Sequence, residues 1–163
     1  MSDQIDILSG LEPASELYGI RRERPDFVQG TEICREAVLR PHAGFGITHS
    51  MRTALAARMA RMVGLGELAS TYEALLEDEG NALLAAIAAG DDLPSTADRF
   101  TIALVRHADL VTKSPRDCTR ADIERLEEAG LTNPQIIALS ELIAFVNFEA
   151  RVIAGLKVLE EIA

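Results

Sequence analysis

The stretch from Thr119 to Ile162 limits the fold more than any other part of the chain. It reads TRADIERLEEAG and then LTNPQIIALSELIAFVNFEARVIAGLKVLEEI. The first piece predicts a short amphipathic helix, N-capped by Thr119 with Asp122 three residues on, and ended by Gly130. Thr132 then caps a second helix, with Pro134 tolerated in its first turn. That helix is expected to run about 28 residues, or roughly 42 Å at 1.5 Å per residue. It is apolar on most sides, so neighbouring elements must cover it.

The rest of the chain supports an all-α fold. It is 163 residues long, 48% hydrophobic and free of Trp, with abundant Ala and Leu and no long alternating β-pattern. One domain over residues 1–163 is expected, with 1–40 as an N-terminal helical extension. This length buries a core without disulfide or metal staples. A net charge of −10 argues against nucleic-acid phosphates and anionic membrane surfaces as partners. The opening MSDQIDILSG has no basic n-region and does not read as a signal peptide. No stretch of about 18 apolar residues is free of charge, so no transmembrane helix is expected. Cys34 and Cys118 are far apart and form no Cys-x-x-Cys, zinc or haem spacing. The expectation is a cytoplasmic protein with reduced thiols and no cofactor or metal. The two cysteines would form a redox pair only if folding brought their Cα atoms within about 7 Å.

In chain order, residues 1–12 read as a capping arm that lays Ile7, Leu8 and Leu11 on a groove. PASELYGIRR predicts a short helix, and Phe27 to Arg40 a second one, with Phe27, Ile33, Val38 and Leu39 apolar. PHAGFG is a loop. Thr48 caps a strong helix in which Met51, Leu55, Met59 and Met62 share a face. That stripe reads as adaptable core filling. Arg52 and Arg61 flank it, and Arg58 at its edge reads as an arginine with a packed stem and a hydrated head. Gly64 and Gly66 break the helix. The next one begins near Glu67 and runs through Leu76, or to Ala89 with a weak point at Glu79-Gly80. After the stop at Gly90-Asp91-Asp92-Leu93-Pro94, Ser95 is expected to cap a helix that ends at Ser114-Pro115.

The runs Ala129-Gly130-Leu131, Ile143-Ala144-Phe145, Asn147-Phe148, Arg151 and Gly155-Leu156 resemble the C-terminal helix of the carboxymuconolactone decarboxylase and alkylhydroperoxidase D (AhpD-like) superfamily, closest to its peroxidase-related branch. IDILSGLEPASELYGIRRERP resembles the start of the subset that lacks the family's Cys-x-x-Cys. The resemblance implies an all-α AhpD-like helical bundle, usually oligomeric. It also implies an antioxidant or peroxidase-related role, or decarboxylation of a lactone. The family's redox site pairs a Cys-x-x-Cys at a helix start with a His four residues later and a Glu on the preceding helix. A helix N-terminus and a nearby base lower a thiol's pKa, and a second thiol resolves the oxidised first. Here the Cys positions fall on Leu65 and Leu68, the His position on Tyr72 and the Glu position near Thr53. Thiol chemistry therefore does not carry over by motif. A non-catalytic descendant that binds a small molecule or a partner subunit is the competing expectation.

Lactone chemistry would need a base and an anion-holding group, for which Glu67, Tyr72, His107 and Arg151 are the candidates. Each has a structural alternative: Tyr72 as a core-edge hydroxyl with a partner, Glu67 as a solvated acid, His107 as a structural histidine beside Asp109. Asn147 and Arg151 share a face with Ser140, Ala144, Ala154 and Gly155, a subunit seam or part of a polar pocket. Glu149 falls among Leu142, Phe145, Val152 and Leu156, so it needs a partner or an upward-shifted pKa; an interfacial arginine is the expected partner, and a catalytic acid is the alternative. His42 and His49 lack a carboxylate or Cys ligand nearby and make a poor metal site. A homodimer or higher homo-oligomer is expected. An enzyme should gather ionisable groups around one pocket. A descendant should show an apolar pocket lined by Leu65, Leu68 and the Met stripe.

Overall fold

Local capping sets most helix boundaries in the computed structural model, which describes residues 3–76 and 80–162. Helix α1 (Gln4–Ser9) opens on a reciprocal pair: the Asp6 N–H donates to Asp3 Oδ1 at 2.8 Å, and the Asp3 N–H to Asp6 Oδ2 at 3.1 Å. Ser15 caps α2 (Glu16–Arg22), and Pro25 starts α3 (Pro25–Leu39). Thr48 Oγ1 accepts from the Met51 N–H at the start of α4 (His49–Met62). Gly64, at φ +82°, supplies the left-handed turn that ends it. Helix α5 (Gly66–Glu73) then stops at Glu73, short of the expected Leu76, and α6 (Ala82–Ala89) is a separate helix whose first amides Asn81 caps. The weak point expected at Glu79 lies outside the described residues.

Helix α7 (Arg99–Lys113) is capped by Asp98 rather than Ser95. The Asp98 carboxylate accepts from both the N–H and the hydroxyl of Thr101, each at 2.9 Å, so it outcompetes a single serine hydroxyl. One 3₁₀ turn (Pro115–Asp117) leads to α8 (Arg120–Glu128). There the Thr119 N–H donates to Asp122 Oδ2 at 2.9 Å, as the sequence suggests. The final helix, α9 (Asn133–Ile162), is 30 residues long. Among the described residues there is no strand, and the fold is an all-α helical bundle. None of these helices is long and apolar enough to cross a membrane.

Two helices share the centre. α9 packs against α1, α3, α4, α7 and α8, while α4 packs against α5, α6, α7 and α9. Every residue of α4 from Arg52 to Ala60 is buried. Ala54, Ala56, Ala57 and Ala60 let neighbouring helices approach closely, while Leu55 and Met59 fill the core. Met51 and Met62, the outer members of the expected stripe, are only half-buried. The outer face of α9 is not covered, contrary to expectation: Ile137, Phe148 and Val158 are 59%, 42% and 57% exposed.

Two arginines of α4 are structural. Arg58 does not hold its head in water. Its guanidinium grips Asp109 of α7 with Nε to Oδ1 at 2.7 Å and Nη2 to Oδ2 at 2.8 Å, and Nη1 donates to the Asp91 carbonyl. Arg52 is fully buried and donates to three carbonyls, of Val38, Gly44 and Ile47, at 3.0–3.1 Å. It thereby fastens the loop in which Phe45 takes φ +50°, a left-handed conformation unusual for a bulky residue.

Helix α1 packs on α9, with Ile5 and Leu11 buried and Ile7 exposed. Asp6 is buried and paired with Arg21 and Arg22 of α2. Burial pushes its carboxyl up, but the Arg22 bond, the Asp3 amide and Arg21 outweigh this and hold it below the usual carboxylate range.

Candidate functional site

The α5 segment, where the family resemblance places a redox centre, is built as core. Leu68 and Tyr72 lie one turn apart on the buried face of α5, and both are at most 2% exposed. The Tyr72 hydroxyl donates to Glu149 Oε2 of α9, and Arg35 of α3 donates to Oε1 of the same carboxylate. Both oxygens of the fully buried Glu149 are thus partnered. Arg35 also pairs with Glu32 at 2.9 Å, near the surface. Burial first, then the Glu149 charge, raises the Tyr72 phenol well above its ordinary pKa, so it stays protonated. Glu149 has the arginine partner that its apolar neighbours require, but Arg35 comes from the same chain rather than from across an interface. A separation of 114 positions left no local signal.

The other positions where the resemblance would place the family's site carry no free ionisable group. Thr53 is buried, and its hydroxyl donates to the His49 carbonyl at 2.9 Å. Leu65 borders a depression of about 220 Å³ with Leu8, Gly64, Leu68, Ile153 and the Glu67–Lys157 pair. Glu67 bonds Lys157 at 2.7 Å on the surface, and that bond holds its carboxyl below the usual range. The Met stripe does not line this depression. Cys34 and Cys118 are exposed free thiols. His49 Nε2 lies 3.2 Å from the Pro41 carbonyl. Among the described residues, no group of three or more His, Cys, Asp or Glu is arranged to hold a metal ion.

The four candidate residues do not converge. Glu67 and Tyr72 are placed as above. Arg151 is exposed on α9 and donates to the Asn147 carbonyl at 3.0 Å. Asn147 turns inward and donates to Thr112 Oγ1 at 3.1 Å and to the Ile143 carbonyl. Ala144, Ala154 and Gly155 of the expected seam remain exposed.

His107 stands apart, in a cleft of about 200 Å³ between α7 and α8. Arg99, Ile102, Ala103, Arg106, His107 and Leu110 form one helical stripe on α7, and Asp122, Arg125, Leu126 and Ala129 one on α8. The floor is apolar, and the lining carries three guanidiniums and two carboxylates, those of Asp122 and Glu128. Arg106 makes no side-chain hydrogen bond or ion pair with the described residues, while Arg125 is held to Asp122 and Arg99 reaches the Glu128 carbonyl at 3.4 Å. His107 is 7% exposed, and its Nδ1 is buried without a hydrogen-bond partner among the described residues. Asp109, its neighbour in sequence, belongs to Arg58. Burial lowers the imidazole pKa, and Asp122 only partly offsets this, so His107 is neutral at neutral pH. The basic rim is not apparent from composition in so acidic a chain. The spacing of Arg99 and Arg106 about His107 is the signal that could have found it.

A larger groove of about 710 Å³ runs between α3 and α9, lined by Phe27, Thr31, Cys34, Ala144 and Phe148, with Asp26 and Glu141 among its polar members. Compared with models of protein families and with curated protein sequences, the chain matches none.

Proposed function

We propose that this chain is an AhpD-like protein that has exchanged thiol catalysis for binding. In this reading it is a non-catalytic, self-associating bundle that holds a small oxyanion in the α7–α8 cleft. The observation that carries the proposal is the fate of the relay position. Tyr72 is buried, held protonated and fixed to Glu149, while Leu65 and Leu68 stand where the family's thiols would be. A peroxidatic centre needs an accessible thiolate beside a proton acceptor. Neither Cys34 nor Cys118 lies in the α5 segment.

The α7–α8 cleft has the features of an anion site. Three guanidiniums line it beside the carboxylates of Asp122 and Glu128, and Arg106 makes no side-chain hydrogen bond or ion pair among the described residues, although its charge acts on Asp122. The unpartnered His107 Nδ1 is a buried polar atom that a ligand could satisfy. Known small-molecule pockets run about 300–1,000 Å³, so a cleft of about 200 Å³ suits a small anion rather than a nucleotide-sized cofactor. Self-association is supported by the exposed apolar face of α9.

The catalytic half of the proposal is tested by hydroperoxide consumption with a dithiol reductant. The wild type and a Cys34→Ser/Cys118→Ser variant should both stay at the uncatalysed rate. Turnover by the wild type overturns the proposal. The binding half is tested by titrating inorganic phosphate, acetate and hexanoate while following the His107 imidazole by NMR, assigned with a His107→Gln variant. The resonance should move saturably, and Arg106→Gln should weaken binding by about tenfold, the loss of one charge-assisted contact. A preference for hexanoate would identify an organic acid resting on the Ile102–Leu126 floor. A preference for phosphate would identify an inorganic anion. An unmoved His107 resonance sinks the anion site.

A further inference from the structure

The exposed side of α9 carries a pattern the core does not explain. From Ile137 through Glu141, Ala144, Phe148, Arg151 and Gly155 to Val158, exposed residues recur at alternating steps of four and three. That is the repeat of a helix seam that pairs with another helix. The described residues leave these positions exposed, and a Cβ built on Gly155 would meet no atom within 4 Å. Glu141 is without a hydrogen-bond or ion-pair partner among the described residues, and Arg151 holds only a backbone carbonyl of its own helix.

We propose that two copies of the chain pair through α9, antiparallel, about a two-fold axis at the level of Val146. From Ile137 to Gly155 the pattern is self-complementary about that point. Ala144 then faces Phe148 of the second copy, Glu141 faces Arg151, and Ile137 faces Gly155. Each large side chain meets a small residue and each charge its opposite, as a two-fold interface requires, where residue i contacts j and j contacts i. A parallel pairing would set Glu141 against Glu141, Arg151 against Arg151 and Phe148 against Phe148, leaving a gap at Gly155.

The groove between α3 and α9 extends the same surface. Ala144 and Phe148 line it beside Phe27, Thr31 and Cys34 of α3, so the second copy's Phe148, facing Ala144, enters it. Specific interfaces bury about 1,200–2,000 Å² in total. A single helix seam falls short of this, and the α3 wall, with Phe27 56% exposed, supplies further apolar area.

This pairing rests on the self-association proposed above, and the test separates the two. Light scattering at micromolar concentration should give a dimer. Glu141→Arg should weaken association about tenfold or more, and Glu141→Arg/Arg151→Glu should restore it, because the reversed charges again meet. A monomer at all concentrations overturns both self-association and pairing. A dimer indifferent to Glu141→Arg, or not rescued by the double reversal, overturns the α9 pairing alone. Orientation is read in a Cys34→Ser/Cys118→Ser background treated with glutathione disulfide. Glu141→Cys/Arg151→Cys should yield a covalent dimer, whereas Glu141→Cys alone should not. Cross-linking by that single variant would mean a parallel pair and overturn the geometry.

Discussion

Tyr72 and His107 are both buried, ionisable aromatic side chains on helices of the same bundle, and their surroundings are opposite. Tyr72 sits where three helices meet and gives its only hydroxyl proton to Glu149, which Arg35 completes. His107 lines an open cleft, and its Nδ1 has no hydrogen-bond partner among the described residues. The first cluster is closed to a ligand because every strong donor and acceptor in it already has a partner. The second is unfinished. Perturbed pKa values mark both places, so the perturbation alone does not distinguish structure from site. Whether the hydrogen bonding is complete does.

The largest effect should come from breaking the closed cluster. Glu149→Ala leaves the Arg35 guanidinium and the Tyr72 hydroxyl facing an apolar void. Loss of one partner of a buried pair costs about 3–5 kcal/mol. At roughly 2–4 °C per kcal/mol for chains of this length, Tm should fall on the order of 10 °C. Arg35→Met/Glu149→Met should cost less than the sum of its single variants, because neither partner is left charged and alone. Additive losses would show that the pair is not coupled. Next in size is Tyr72→Phe, which leaves one Glu149 oxygen short of a donor and should cost about 1–3 kcal/mol in denaturant melts.

The same cluster makes an alkaline prediction. The Tyr72 phenol is raised in the folded state, so its contribution to stability is complete below the unfolded value of about 10 and is lost as pH rises above it. In a Tyr18→Phe background Tyr72 is the only tyrosine, and its ultraviolet titration should coincide with unfolding rather than precede it. Ionisation with the helical circular dichroism intact would show that Tyr72 is more open to solvent than its burial indicates.

How far the sequence revealed these two regions depended on distance along the chain. The Thr48 and Thr119–Asp122 caps were legible because partner and amide lie three residues apart. Asp98 was missed because the loop before α7 offers Ser95 as well, and only the closed structure shows which one meets Thr101. Glu149 announced its need for a cation by its apolar neighbours, but nothing local pointed to Arg35. Arg58 seemed free because Asp109 lies 51 residues away on another helix. The positions Leu65, Leu68 and Tyr72 were singled out by the family resemblance alone; Leu68 and Tyr72, one turn apart, are buried, while Leu65 is half-buried. The cleft at His107 needed α8 folded over α7 before Arg125 joined Arg99 and Arg106.

The smallest expected effect on stability is the one most diagnostic of the open cleft. His107→Gln removes no hydrogen bond at Nδ1, so at neutral pH it should lie within about 1 kcal/mol of the wild type, unlike either change at Glu149 or Tyr72. Its signature is pH dependence. Burial depresses the folded His107 pKa, so below the unfolded value of about 6.5 the unfolded chain binds a proton that the folded chain refuses. Wild-type stability should therefore decline as pH falls from about 6.5 toward the folded pKa, and His107→Gln should flatten that decline. This window lies above the one in which the Asp6–Arg22 arm contact weakens, which begins near the unfolded carboxylate value of about 4. A bound oxyanion would favour the imidazolium and flatten the wild-type slope in the same way. Identical slopes for wild type and His107→Gln would mean that His107 already has a hidden partner, and the contrast with Tyr72 would disappear.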